Sequence, residues 1–188
     1  MLRRISAFLA FIFLAFSLSS AWADEYDDTI AVFRKAKESG AYFGKSYGYA
    51  VFPTIGKAGF VVGGSYGQGH VYEHGKYVGD TSLAALSAGF QLGGEAYSQI
   101  IFFADKRAFD EFTSGNFEFG AQAQAVAITA GASAAATTTG STAGASATQN
   151  NQRNKAEPYK GMTTFTVAKG GLMYEASIAG QKYSYKKK

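Results

Sequence analysis

Two histidines and a glutamate offer the first possible chemistry in this sequence. The string HVYEH places His70, Glu73 and His74 at the spacing of the inverted zinc-peptidase motif. That motif requires a helix, which brings both imidazole rings onto one face. Here glycines flank the string and the residues continue a strand-like alternation. In a strand the Cα atoms of His70 and His74 would lie ~13 Å apart, too far for one ion. The pattern therefore predicts no metal site.

The same residues favour a β-hairpin. His74 and Gly75 suit a two-residue turn, because both positions of the commonest hairpin turn need a left-handed backbone. That turn would set Glu73 against Lys76, two opposite charges that attract across neighbouring strands. It would also place Tyr72 opposite another tyrosine, at position 77.

Nucleotide-binding and catalytic patterns are poorly matched. The string IGKAG fails as a phosphate loop, because Val51 occupies the first glycine position and Ala58 replaces the hydroxyl that would hold magnesium. In GGSYGQG and its continuation, Tyr72 stands where a dinucleotide fingerprint needs its third glycine. The chain has no cysteine and only two histidines, and the carboxylates of Asp110 and Glu111 are neighbours that diverge on a helix. We predict a non-enzymatic protein with no cofactor.

The first residues resemble a secretory signal peptide. Arg3 and Arg4 precede an apolar run, and the small-x-small pattern Ala21-Trp22-Ala23 follows. The run is shorter than the ~20 residues that span a bilayer, so we predict cleavage after Ala23 rather than an anchor. The mature chain, 24–188, then keeps 16 of the 18 basic residues against 14 acidic ones, a net charge of +2. This small excess does not indicate a nucleic-acid partner. We expect a periplasmic or secreted protein, which could associate with the outer membrane.

Two segments have helical signals. Tyr26, Ile30 and Phe33 form an apolar stripe at helical spacing, and Gly40 follows as a stop. A shorter helix is predicted after Asp105, which can cap it. Its buried face would comprise Ala108, Phe109 and Phe112, and Gly115 would end it.

Most of the remaining sequence alternates with a period of two residues. Glycine and other small residues collect on one face of three stretches, at 60–72, 86–103 and 116–132, which predicts a strongly curved sheet. One more hairpin is predicted between 162–168 and 172–185. The segment 131–158 has no large apolar side chain and is predicted to be a mobile loop. The expected fold is α+β and mostly antiparallel β: a barrel-like or half-closed sheet with an N-terminal amphipathic helix and one short internal helix.

Four collinear blocks carry a family resemblance: GYAVFPTIGKAGFVVGGSYGQGHVY, FQLGGEAYSQIIFF, DKRAFDEFTSGNFEFGAQAQAVA and GLMYEASIAGQKYSY. They resemble the bacterial branch of the SYLF lipid-binding domain family. The resemblance implies binding of phospholipids, phosphoinositides in particular, and in some yeast members binding of actin filaments. It also implies membrane contact through an amphipathic helix ahead of the domain. Actin is not expected as a partner here, because an exported bacterial-type protein meets none in its own cell.

On this basis the sequence predicts an exported lipid-binding protein that associates with phospholipid, including phosphoinositide-like anionic lipid, at the cell envelope. Lipid contact needs apolar side chains together with basic groups for the phosphate. The candidate lipid-binding residues are Phe33, Arg34, Lys35, Lys37, Lys45 and Lys57. The alternative is an envelope structural or protein-interaction module without a lipid ligand, whose protein partner the sequence does not name.

Overall fold

The computed structural model describes residues 18–59, 62–88, 95–128, 157–169 and 178–188. The helices are α1 (Leu18–Lys35), a 3₁₀ helix (Gly40–Gly44) and α2 (Lys106–Phe112). The strands are β1 (Gly48–Gly59), β2 (Val62–Glu73), β3 (Lys76–Ala88), β4 (Glu95–Phe103), β5 (Phe117–Glu118), β6 (Ala125–Ile128), β7 (Met162–Lys169) and β8 (Lys182–Lys187). Residues 1–17 of the predicted signal peptide, and all of the predicted loop at 131–158 except its last two residues, lie outside the described residues.

The described strands form one eight-stranded sheet in the order β5-β8-β3-β2-β1-β4-β7-β6. Neighbouring strands are antiparallel except β6 and β7, which are parallel. The sheet curls into a half barrel, so the predicted α+β class with a curved, mostly antiparallel sheet is confirmed.

A β-bulge in the central strand β1 contributes to this curvature. Val51 pairs with His70 and Ile55 pairs with Gly67, so β1 contains one residue more than β2 between these two pairs. Pro53 lies in the bulge. Proline has no backbone N–H to donate, and a bulge is one of the few positions inside a sheet that tolerate it. The extra residue changes the alternation, and Phe52 and Ile55 consequently both point into the same core.

The glycines of β2 make room for these two side chains. A Cβ atom on Gly67 would lie 2.6 Å from Cγ1 of Ile55, and one on Gly69 would lie 2.7 Å from the ring of Phe52. Neither distance is compatible with a side chain. At these two positions glycine therefore serves the close approach of side chains from the neighbouring strand.

Apolar side chains cover both faces of the sheet. The inner face, which carries Phe52, Leu83 and Ile101, packs against α2. The outer face, which carries Val51 and Phe102, packs against α1. Helices thus cover both faces of the sheet, and a separate apolar core lies between the sheet and the helix on each side.

Both predicted helices are confirmed, with different bounds for the first. In α1 the predicted stripe of Tyr26, Ile30 and Phe33 is buried against the outer face. The described helix spans Leu18–Lys35, so it includes residues ahead of the predicted stripe and ends five residues before Gly40. In α2 the carboxylate of Asp105 accepts a hydrogen bond from the backbone N–H of Ala108 at 2.8 Å, as expected of an N-cap.

Polar contacts also hold α1 to the sheet. The carboxylate of Glu25 accepts hydrogen bonds from Thr54 of β1 at 2.9 Å and from Lys169 of β7 at 3.3 Å. The lysine also donates to the hydroxyl of Thr54 at 2.6 Å. Within the described part of the chain, no helix combines the length and the apolar character needed to cross a membrane.

Three strand predictions are wrong. The stretch 86–103 is divided between two strands, because β3 ends at Ala88 and β4 begins at Glu95. The stretch 116–132 is not one strand, because a turn at residues 121–122 separates β5 from β6. Strand β8 does not form a hairpin with β7: it pairs with β3 and β5, whereas β7 pairs with β4 and β6. Alternation assigns side chains to a face but leaves the partner strand undetermined. Residues 170–177 of that hairpin lie outside the described residues.

Candidate functional site

The hairpin predicted at the histidines is confirmed. His74 and Gly75 have φ angles of 48° and 79°, which form the two-residue turn between β2 and β3. Glu73 pairs with Lys76, and Tyr72 lies opposite Tyr77. The two imidazole rings have different neighbours: that of His70 stacks on Tyr26 with the ring centres 3.5 Å apart, and that of His74 contacts Tyr47 at 4.4 Å.

The structure exposes most of the predicted lipid-binding cations in one short stretch. We define the basic segment as Arg34, Lys35, Lys37 and Lys45, whose side chains are all exposed. None of the four forms an ion pair with another residue of the described ranges. Arg34 and Lys35 occupy the last turn of α1, where a cation also stabilises the helix dipole.

The backbone of the basic segment is fixed by contacts on its buried side. The hydroxyl of Ser39 donates to the carbonyl of Phe33 at 2.5 Å and closes the end of α1. In the 3₁₀ helix that follows, the rings of Tyr42 and Phe43 pack on Phe102, with ring centres 5.5 and 4.9 Å apart. The guanidinium of Arg34 lies 4.9 Å above the ring of Phe43. These contacts hold the segment on the outer face while its charges face solvent.

Phe33 is not part of this exposed surface. Its side chain is 0% exposed and packs with Ile30 in the outer core, so it has no access to lipid in this fold. The exposed apolar side chain nearby is Val32, which is 46% exposed. The sequence contained the signal that Phe33 is buried and Val32 is exposed. Phe33 belongs to the apolar stripe of α1, which faces the sheet, whereas Val32 lies next to the stripe and points away from the sheet.

Lys57 also lies apart from the other cations. It is near the far end of β1, whereas Lys45 precedes the start of that strand. Nine residues separate Gly48 from Lys57, which at ~3.3 Å per residue is roughly 30 Å. Lys57 is also half-buried. Four of the six predicted residues are therefore exposed within the short stretch 34–45, whereas Phe33 is buried and Lys57 lies near the other end of β1.

The inner face contains a polar cluster that the sequence analysis did not anticipate. The amide of Gln99 donates to the hydroxyl of Tyr183 at 2.7 Å, and that hydroxyl donates to Oε1 of Gln181 at 2.5 Å. The amide of Gln181 in turn donates to Tyr97 at 3.0 Å. Burial raises the pKa of Tyr97 to about 12 and raises the pKa of Tyr183 well above its usual value. Both phenols therefore stay protonated at neutral pH, which suits a structural network and not a general base.

Comparison with known proteins assigns the family. The model of the Ysc84 family, described as Las17-binding protein actin regulator, matches residues 84–188, more than half of the chain. Beta cell expansion factor A of Aeromonas veronii is 31% identical over 163 residues, which cover 82% of this chain and 51% of that protein. The chain thus spans about half the length of the curated relative that it matches. On these matches the chain belongs to the Ysc84 (SYLF) family, which is known for binding modules rather than for enzymes.

Proposed function

We propose that this chain is an exported, non-enzymatic protein that binds anionic phospholipid at the cell envelope through its basic segment. The observation that carries the proposal is the group of exposed cations, Arg34, Lys35, Lys37 and Lys45, which have no acidic partner within the described ranges. Membership of the SYLF family, in which lipid binding is known, supports the same function.

The charges suffice for a reversible association with a membrane. Each lysine or arginine near an anionic surface contributes ~1 kcal/mol, so the three cations at 34, 35 and 37 together provide roughly 3 kcal/mol. Val32, exposed beside them, adds a small apolar contribution that salt does not screen. The sum corresponds to weak binding that responds to ionic strength.

Acidic residues limit the contact to one end of α1. Asp27 and Asp28 are exposed, and Asp28 precedes Lys35 by seven residues, which is roughly 10 Å along a helix. This distance is about one Debye length at 0.1 M salt, so the aspartates oppose the lysine only weakly. The exposed carboxylate of Glu38 is next to Lys37 and reduces the four positive charges of 34–45 to a net charge of +3. The C-terminal end of α1 therefore approaches the lipid first, and the helix does not lie flat along it.

Co-sedimentation with vesicles tests the proposal. The variant Arg34→Gln/Lys35→Gln/Lys37→Gln should bind phosphatidylglycerol-containing vesicles about a hundredfold more weakly at low salt, from the loss of ~3 kcal/mol. At ~0.5 M salt, where the Debye length is a few ångströms, the parent should bind weakly as well and the difference should shrink. Vesicles of phosphatidylcholine alone should bind neither protein appreciably.

A variant with the same change of charge elsewhere serves as the control. Lys186, Lys187 and Lys188 are exposed at the C-terminal end of the chain, and their joint change to Gln should leave vesicle binding nearly unchanged. Circular dichroism should confirm that both variants are folded. Parent-like binding of the first variant at low salt would remove the basic segment from the mechanism. Absence of vesicle binding by the parent would favour the protein-interaction alternative.

A further inference from the structure

A groove on the outer face of the sheet lies apart from the basic segment. Its volume is about 300 Å³, and its floor is formed by β2, β3 and β8. Tyr26 of α1 forms one wall. This volume is at the lower end of the range of small-molecule sites, ~300–1,000 Å³, and suits a ligand of roughly one sugar ring.

The floor of the groove is a grid of polar side chains. Strand register aligns them in two rows, Gln68-Ser82-Ser184 and His70-Asp80-Lys186. In the first row the hydroxyls of Ser82 and Ser184 are hydrogen-bonded to each other at 2.7 Å. Amide, hydroxyl, carboxylate and ammonium groups thus lie on neighbouring strands ~4.8 Å apart. Donors and acceptors alternate over a short distance, as the hydroxyl groups of a polyol require.

The charges in the groove cancel. Asp80 and Lys186 are cross-strand partners of opposite charge. Burial lowers the pKa of His70, so its ring is neutral at pH 7 and above. The lining therefore has no net charge with which to select an anion or a cation, and Lys188, whose charge also lowers the pKa of His70, is not part of the lining. Oδ1 of Asp80 accepts a hydrogen bond from the hydroxyl of Tyr77 at 2.6 Å and lies 3.5 Å from Nε2 of His70. Within the described chain, Oδ2 of Asp80 remains available as an acceptor for a ligand.

An exposed aromatic ring extends the groove at one end. Tyr66 is 56% exposed and precedes Gln68 on the same face of β2. The amide of Gln68 donates to the hydroxyl of Tyr66 at 3.1 Å, which orients the ring. A flat aromatic face next to hydrogen-bonding groups can pack against the C–H face of a pyranose ring.

We propose that this groove binds a neutral saccharide ring, whether as a free sugar, a glycan or the headgroup of a glycolipid. Gln68, Ser82 and Ser184 hydrogen-bond its hydroxyl groups, and Asp80 accepts from one of them. Tyr66 packs on its apolar face. The groove is a second site, and its ligand differs from the anionic lipid that the basic segment contacts.

Solution NMR of the full chain, with the amide nitrogens labelled, tests the inference. The probes are methyl glycosides of neutral hexoses and of N-acetylhexosamines, with inorganic phosphate as an anionic comparison. We expect saturable shifts at the amides of residues 68–70, 80–82 and 184–186 with at least one glycoside, and no such shifts with phosphate. Asp80→Asn should weaken this binding about tenfold, because a charged acceptor becomes neutral.

Two neighbouring lysines provide a matched control. Lys186 lines the groove and Lys187 does not, although both are exposed on β8. Lys186→Gln removes a charged donor from the groove and should weaken glycoside binding about threefold or more, whereas Lys187→Gln should leave it unchanged. Thermal denaturation of each variant shows whether the fold is retained. Equal losses from the two lysine changes, the lack of saturable shifts with every glycoside, or phosphate binding at the same amides would overturn the inference.

The source of the saccharide is decided with neutral vesicles. If a glycolipid headgroup is the ligand, the triple variant of the basic segment should still bind phosphatidylcholine vesicles that contain a neutral glycolipid. If soluble glycans alone are bound, it should bind the glycosides and not these vesicles. This arm also separates the groove from the lipid-binding proposal, because failure of one site leaves the other measurable.

Discussion

At the scale of single residues, hydroxyl groups buried in the sheet differ in their hydrogen bonds. Thr166 of β7 is 0% exposed, and its hydroxyl has no hydrogen-bond partner within the described residues. The hydroxyl of Thr164 on the same strand and Oε1 of Gln99 on the adjacent strand β4 also have no partner there. Thr81 is also buried, but its hydroxyl donates to the carbonyl of Ser184 at 2.7 Å. A buried polar group without a partner costs free energy, whereas a satisfied one contributes about 1 kcal/mol.

The substitution of valine for threonine should therefore have opposite effects at these two positions. Thr166→Val replaces an unsatisfied hydroxyl by a methyl group of similar shape, and we expect the free energy of unfolding to rise by about 1 kcal/mol. Thr81→Val, the matched control, removes a hydrogen bond and should lower it by about 1 kcal/mol. Urea denaturation of both variants measures the difference. A loss of stability in Thr166→Val would show that its hydroxyl is hydrogen-bonded in solution.

At the scale of elements, the sequence correctly predicted those turns and helix caps whose geometry depends on one or two neighbouring residues. The hairpin turn at His74-Gly75 and the cap at Asp105 were predicted correctly, because turn and cap geometry depend on one or two residues. The bulge at Pro53 and the pairing of β8 with β3 were not predicted. Both depend on residues far apart in the sequence, and a period of two contains no information about partners.

The bulge and the glycines of β2 function as one unit, which a pair of glycine substitutions can test. A Cβ on Gly69 would lie 2.7 Å from both the Phe52 ring and the carbonyl of Val51, so Gly69→Ala should destabilise the protein by about 1–3 kcal/mol or more. A Cβ on Gly56, in the adjacent β1, would meet no atom within 4 Å, and Gly56→Ala should be nearly neutral. Equal stability of the two variants in thermal denaturation would mean that the sheet adjusts freely at Gly69.

At the scale of the whole molecule, the two candidate surfaces differ in how far they could be predicted. The basic segment occupies twelve consecutive positions, 34–45, and the sequence identified its four exposed cations. The sequence also grouped Lys57 with them, whereas the structure places Lys57 near the other end of β1, because its distance from Lys45 depends on the length and direction of that strand. The groove could not be found in this way, because its floor comes from residues 68–70, 80–82 and 184–186, which only strand register brings together, and one wall comes from Tyr26 of α1.

The attachment of α1 gives a further prediction for the whole chain, which concerns the proposed cleavage after Ala23. Among the residues whose side chains the structure describes, 25 onwards in α1, the contacts that fix the helix to the sheet are the hydrogen bonds of Glu25 and the burial of Tyr26, Ile30 and Phe33. All of these residues follow the cleavage position. A chain that starts at Asp24 should therefore melt within a few degrees of the full chain, since ~1 kcal/mol shifts Tm by only ~2–4 °C in a domain of this size.

A longer truncation provides the comparison. A chain that starts at Ala31 loses Tyr26 and Ile30, whose side chains are 7% and 8% exposed, together with the contacts of Glu25. Each large apolar side chain contributes ~1.5–3 kcal/mol through burial, so we expect this chain to lose roughly 3–6 kcal/mol and to melt ~6–24 °C lower. Calorimetry of the three chains measures both effects. If the chain that starts at Asp24 loses as much as the shorter one, residues before the cleavage position stabilise the folded protein, and cleavage there would remove part of the fold.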